Sequence, residues 1–155
     1  MVRRLRMNFF GSQKVMNILL IEDNPGDVKL IKHAFQRRGW KSQFFQATDG
    51  EEGLKFLHRQ APWTEAPRPD LVLLDLNIPK KDGRQILREI KSNASWASIP
   101  VFVLTSSELR DDLVSALSHE ANYYFTKPAS FFEYDFILKK IESLINESNV
   151  FCQNF

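Results

Sequence analysis

Two hydrophobic periods alternate along this chain. Continuous apolar runs occur at Met16 to Ile21, Leu71 to Leu74, Ile99 to Leu104 and Tyr123 to Phe125. Short runs rich in Ile, Val, Leu and Phe mark strands covered on both faces. Between them the apolar positions recur at helical spacing. Val28, Ile31 and Phe35 share one stripe, Ile86, Leu87 and Ile90 a second, and Phe131, Tyr134, Leu138, Ile141 and Ile145 a third. The pattern predicts strand 16–22, helix 26–38, strand 42–47, helix 50–60 and strand 70–75. It continues with helix 83–93, strand 99–105, helix 108–119, strand 122–126 and helix 130–147. Pro25 suits the opening of the first helix, Gly39 its end, and Asp82 the cap of the third. Pro128 and Ser130 mark entry to the last.

Five β-α units in this order imply one α/β domain, a parallel sheet with helices on both faces and right-handed crossovers. The predicted domain is 16–147, with an extension over 1–15 and a tail over 148–155. The longest connection, Gln60 to Pro69, reads as an ordered surface loop, because Pro62, Pro67 and Pro69 restrict it.

Bulk properties narrow the function classes. The 155 residues fit one domain with a sizeable core. A formal charge of +2 gives no reason to expect nucleic acid or membrane as a partner. Part of that excess is local, at Arg3, Arg4 and Arg6, and nothing in the sequence reads as a DNA-binding element. Cys152 is the one cysteine, which suits a reducing cytoplasm. No apolar run approaches the roughly 20 residues of a bilayer span.

The candidate chemistry lies at the strand ends. In open α/β sheets the carboxyl ends of the strands form the ligand-binding rim. The apolar run of the first strand ends at Glu22 and Asp23, that of the third at Asp75, that of the fourth at Thr105 and Ser106, and that of the fifth at Thr126 and Lys127. Three gathered carboxylates need a cation or protons to offset their repulsion. Oxygen donors without His or Cys suit Mg²⁺ or Mn²⁺. Asp75 is placed to attack a phosphoryl group, since carboxylates form aspartyl-phosphates. Lys127 offers a point charge for a phosphoryl oxygen, Thr105 a hydroxyl donor, and Ser106 a backbone N–H or a second hydroxyl.

These stretches resemble the receiver domain of two-component response regulators. The resemblance covers residues 16–146 and rests on Ile18 to Asn24, Pro69 to Pro79 with Asp82 and Gly83, Val103 to Ser106, and Tyr124 to Pro128. It implies the flavodoxin-like receiver fold with strand order 2-1-3-4-5 and five helices. It implies that Asp75 accepts phosphate from a partner histidine kinase. It also implies that Asp23, Asp75 and the Asn77 backbone carbonyl bind Mg²⁺, with Glu22 acting partly through water. Thr105 is then expected to move toward the phosphoryl group and Tyr124 to turn inward behind it. Without that role, Tyr124 is a half-buried aromatic on an edge strand. The Asn24 to Asp27 start, the Pro67 to Asp70 lead-in, the Pro79 to Gly83 turn and the Ala121 to Pro128 end resemble regulators partnered with bacterial, especially cyanobacterial, phytochrome kinases.

One stripe of the last helix cannot cover every aromatic near it. Tyr123, Phe125, Phe132 and Phe136 are expected to form a surface for a homodimer, built from helix 108–119, strand 122–126 and helix 130–147. The other reading folds Phe132 and Phe136 beneath the tail with Phe151 and Phe155. Two further function classes compete with the phosphoacceptor. One is an interaction module that ignores phosphate, which predicts loss of an acidic residue or the lysine. The other is a phosphatase with an aspartate nucleophile, which wants a second acid where this chain has Asn77.

Overall fold

A computed structural model of the chain describes residues 15–106, 114 and 121–151, with side chains except those of Phe131 and 145–151. The extension before Val15, helix 108–119 apart from Val114, Ser107, the Phe131, Ile145 and Phe151 side chains, Cys152 and the tail aromatic Phe155 lie outside this description. The sheet has the strand order β2-β1-β3-β4-β5. Its members are β1 (Met16–Ile21), β2 (Ser42–Ala47), β3 (Leu71–Leu74), β4 (Val101–Thr105) and β5 (Tyr123–Thr126), every adjacent pair parallel. Among the described residues four α-helices accompany it: α1 (Pro25–Arg37), α2 (Gly50–Leu57), α3 (Gly83–Ser92) and α4 (Tyr134–Phe151). This is the expected doubly wound fold.

The period of two along each strand sorts side chains between two cores. Ile18, Leu20, Leu71 and Leu73 face α1 and α4, where Val28, Ile31, Phe35, Tyr134, Leu138 and Ile141 meet them. Leu19, Ile21, Val72 and Leu74 face α2 and α3, against Leu54, Leu57, Ile86, Leu87 and Ile90. Each fully buried Leu or Ile contributes roughly 1.5–3 kcal/mol. The Gln60–Pro69 connection is anchored by Trp63, whose ring packs edge-on against Phe45 and Phe56.

Element ends differ from the sequence reading for local reasons. α2 stops at Leu57 because His58 caps it and Arg59 turns left-handed at φ 53°. β4 begins at Val101, since Pro100 has no N–H to give the ladder. The last helix is preceded by a 3₁₀ turn (Phe131–Glu133), with the Glu133 N–H donating to the Ser130 carbonyl. α1 ends as expected, with Gly39 following its cap at φ 79°, a conformation glycine adopts without strain.

One expected surface residue is not available. Phe125 is buried in the α1–α4 core and stacks on Tyr123, centroids 4.5 Å apart. Alternation along β5 turns Tyr123 and Phe125 toward that core and half-buried Tyr124 toward the opposite one. Phe132 and Phe136 are 66% and 62% exposed.

Candidate functional site

The strand register builds the site. Ile21 pairs with Leu74, so Glu22 and Asp75 leave the sheet side by side, and the Asp75 N–H donates to the Ile21 carbonyl. This is where the chain order reverses, between β1 and β3, the crevice at which doubly wound sheets bind ligands. Thr105 pairs with Thr126, and the Lys127 N–H donates to the Thr105 carbonyl. Lys127 therefore enters the rim one residue past the Thr105–Thr126 pair. Gly83, the first residue of α3, holds the third strand's exit in place. A Cβ there would land on the Asp75 carbonyl oxygen and the Leu76 Cα.

Lys127 and three carboxylates form the centre. Its Nζ lies 2.6 Å from Glu22 Oε2, 2.8 Å from Asp75 Oδ2 and 2.8 Å from Asp27 Oδ2. All three donors of the ammonium group are thereby engaged. Glu22, Asp75 and Thr105 are buried, whereas Asp23 and Ser106 are exposed. Donor atoms of Glu22, Asp23 and Asp75 lie within 4.8 Å of one another. An all-oxygen set with one solvent-facing member fits a hard divalent cation that keeps part of its water. More carboxylate charge gathers here than one lysine offsets, which favours the same conclusion.

The remaining side chains are tied to this centre. The Asn77 backbone N–H donates to Asp75 Oδ1 at 3.0 Å, and the Asn77 side-chain amide donates to Thr105 Oγ1 at 3.2 Å. Glu22 Oε1 accepts from the Asn24 N–H at 2.9 Å, and the Asn24 side chain accepts from the Asp27 N–H, capping α1. Burial pushes the Glu22 carboxyl up to about 7, against the pull of its hydrogen bonds from Lys127 and Asn24. Burial works against the charge on Lys127, but Asp27, Asp75 and Glu22 outweigh it and hold the ammonium above its ordinary value. Burial, then the charge on Asp27, push the Tyr134 hydroxyl up to about 12.

Glu22, Asp75, Thr105 and Lys127 therefore converge as the strand-end pattern expects, with Asp23 at the solvent edge. Two contacts were not read from the sequence. Asp27 sits in the first turn of α1, where an acidic residue reads as a complement to the helix dipole. The Asn77 amide reaches Thr105 across the β3–β4 boundary, a contact that sequence spacing does not reveal.

Residues 18–142 match the family model described as the response regulator receiver domain. Response regulator Rcp1 of Synechocystis sp. is 38% identical over 126 residues, which span 81% of this chain and 86% of Rcp1. The crystal structure of the phosphorylated cyanobacterial phytochrome response regulator RcpA superposes with a TM-score of 0.79 at 38% identity, covering 87% of this chain and 96% of RcpA. The Mn²⁺-bound form of Rcp1 gives a TM-score of 0.75 at 38% identity, covering 83% of this chain and 92% of the other. No helix among the described residues is long and apolar enough to cross a membrane.

Proposed function

The chain belongs to the response regulator receiver family, and from that premise we propose that Asp75 accepts a phosphoryl group from a sensor histidine kinase. The observation that carries this reading is the triple engagement of Lys127 by Glu22, Asp27 and Asp75 beside the three-carboxylate cluster. An Asp75 carboxylate oxygen forms a bond to phosphorus while the bond from phosphorus to the donor imidazole nitrogen breaks. The electron pair returns to the imidazole. Asn77 orients the acceptor by donating its N–H to Oδ1. Lys127 takes up charge on a phosphoryl oxygen, and the Ser106 N–H or hydroxyl donates to another.

Glu22, Asp23 and Asp75, with the Asn77 backbone carbonyl, would hold Mg²⁺, or Mn²⁺ as in the Rcp1 structure. When bound, such an ion neutralises the transferring phosphoryl oxygens.

Thr105 reads the new charge. Its hydroxyl exchanges the Asn77 amide for a phosphoryl oxygen, and Tyr124, paired in register with Val103, follows it inward. The output is a changed protein surface along helix 108–119, β5 and α4. Tyr123, Phe132 and Phe136 of that surface, without buried Phe125, meet a second copy of the chain. The likeness to RcpA, a phytochrome response regulator, supports a phytochrome kinase as donor, docking by α1 and the strand-end loops. Such a protein works in the cytoplasm as a signalling switch rather than as an enzyme.

Incubation with acetyl phosphate and Mg²⁺ tests this reading. Wild type gains one phosphoryl group and Asp75→Asn gains none. Modification of both proteins places the acceptor elsewhere, and modification of neither supports an interaction module that ignores phosphate.

A further inference from the structure

Lys127 has no spare donor. Three N–H groups meet three carboxylates, and a phosphoryl oxygen can reach the ammonium only if one contact is released. The three partners are not equivalent. Asp75 is the proposed acceptor, so the N–H it holds follows its charge to the phosphoryl group, and any second bond from Lys127 to that group must displace Glu22 or Asp27. Glu22 is buried and belongs to the three-carboxylate cluster. Asp27 lies outside that cluster, and its side chain is the most exposed of the three, at 24% against 2% for Glu22 and 5% for Asp75. Water can solvate Asp27 after release, whereas the Glu22 side chain is closed off from water.

We propose that Asp27 is the resting counter-ion of Lys127 and competes with the phosphoryl group for it. The inference rests on the phosphoacceptor reading of Asp75 and adds a positioning residue to it. Asp27 is carried by the first turn of α1, which the Asn24 side chain caps through the Asp27 N–H. The carboxylate is therefore held at a fixed point, 2.8 Å from the ammonium, rather than on a free loop. In the resting protein it steadies Lys127 at the rim. On phosphorylation its hold opposes the bond that Lys127 makes to the phosphoryl oxygen. Asp27 thus weakens capture and shortens the lifetime of the modified state.

The experiment measures beryllofluoride affinity at saturating Mg²⁺ on the full chain, as wild type, Asp27→Asn and Asp27→Glu. Asp27→Asn is expected to bind about threefold to tenfold more tightly, the range of a part-exposed charged hydrogen bond. The gain should persist at high salt, because a contact is removed rather than a distant field. Asp27→Glu should return toward wild type. Unchanged or weaker binding by Asp27→Asn overturns the proposal, as does an Asp27→Glu protein that matches Asp27→Asn. If Asp27→Asn does not fold, the Asp27 carboxyl ¹³C resonance of wild type decides. It should shift when the mimic binds and Lys127 leaves, and a static resonance overturns the proposal. Wild type that ignores the mimic, or Asp75→Asn that still binds it, defeats the phosphoacceptor reading itself.

Discussion

Lys127 Nζ lies 2.8 Å from Asp75 Oδ2, both side chains more than nine-tenths buried, although 52 residues separate them in the chain. The lysine is the cation about which the carboxylates of the rim gather. Lys127→Met should therefore destabilise the metal-free protein by about 3 kcal/mol, because buried carboxylates lose their partner. Guanidinium unfolding measures the loss. Mg²⁺ should restore part of it, and a variant as stable as wild type would contradict the electrostatic account.

A divalent cation should stabilise the folded chain through mass action, since the three carboxylates converge only when it is folded. At a free concentration about 100 times its dissociation constant, Mg²⁺ should add about 2.7 kcal/mol. Asp23→Asn should remove most of this gain with little effect on metal-free stability, because Asp23 is exposed. Thermal unfolding across a Mg²⁺ series, with EDTA as reference, checks both.

Tyr134 predicts an alkaline dependence. Its hydroxyl is buried and finds no hydrogen-bond partner among the described residues, and its folded value is pushed up to about 12 from 10. A raised folded value means that the stability is fully present below pH 10 and is lost as pH climbs through 12. Tyr134→Phe should remove this slope. At neutral pH it should be neutral or stabilising by up to about 1 kcal/mol, since no hydrogen bond is broken. Denaturation at pH 8 and pH 11 separates wild type from the variant, and parallel losses in the two would contradict the assignment.

Gly83→Ala should cost about 2 kcal/mol, as its methyl would meet backbone atoms of Asp75 and Leu76 rather than a side chain that can turn away. The same displacement should slow modification of Asp75. Unfolding and acetyl phosphate labelling of one preparation measure both effects.

Phe132 and Phe136 should matter for association more than for folding. Their rings are largely exposed, with Arg37 5.0 Å above Phe132 and Lys140 5.8 Å from Phe136. Replacing both with Ser should cost at most about 1 kcal/mol of stability. It should shift a wild-type dimer to monomer in sedimentation velocity at tens of micromolar. Wild type that sediments as a monomer under those conditions would remove the dimer.

Most of the site was legible because four strands end at one rim and each end carries its own chemistry. The register does the rest: one residue past the Ile21–Leu74 pair come Glu22 and Asp75, and one residue past the Thr105–Thr126 pair comes Lys127. Asp27 was less legible because its position depends on how far α1 tilts over the rim, which tertiary packing decides. The burial of Phe125 followed from the same alternation that predicts strands. Three aromatics in a row on an edge strand read as one patch, yet the period of two sends Tyr123 and Phe125 beneath the helices and Tyr124 to the other face. The 3₁₀ turn before α4 was hidden because the apolar stripe beginning at Phe131 continues smoothly across it.

Locating the modified residue decides whether Asp75 is the phosphoacceptor. After treatment with acetyl phosphate and Mg²⁺, the acyl phosphate is trapped by borohydride reduction and mapped by peptide mass spectrometry. Reduction of Asp75 alone is expected, abolished by EDTA. A trapped label on any other carboxylate, with Asp75 intact, would contradict that assignment.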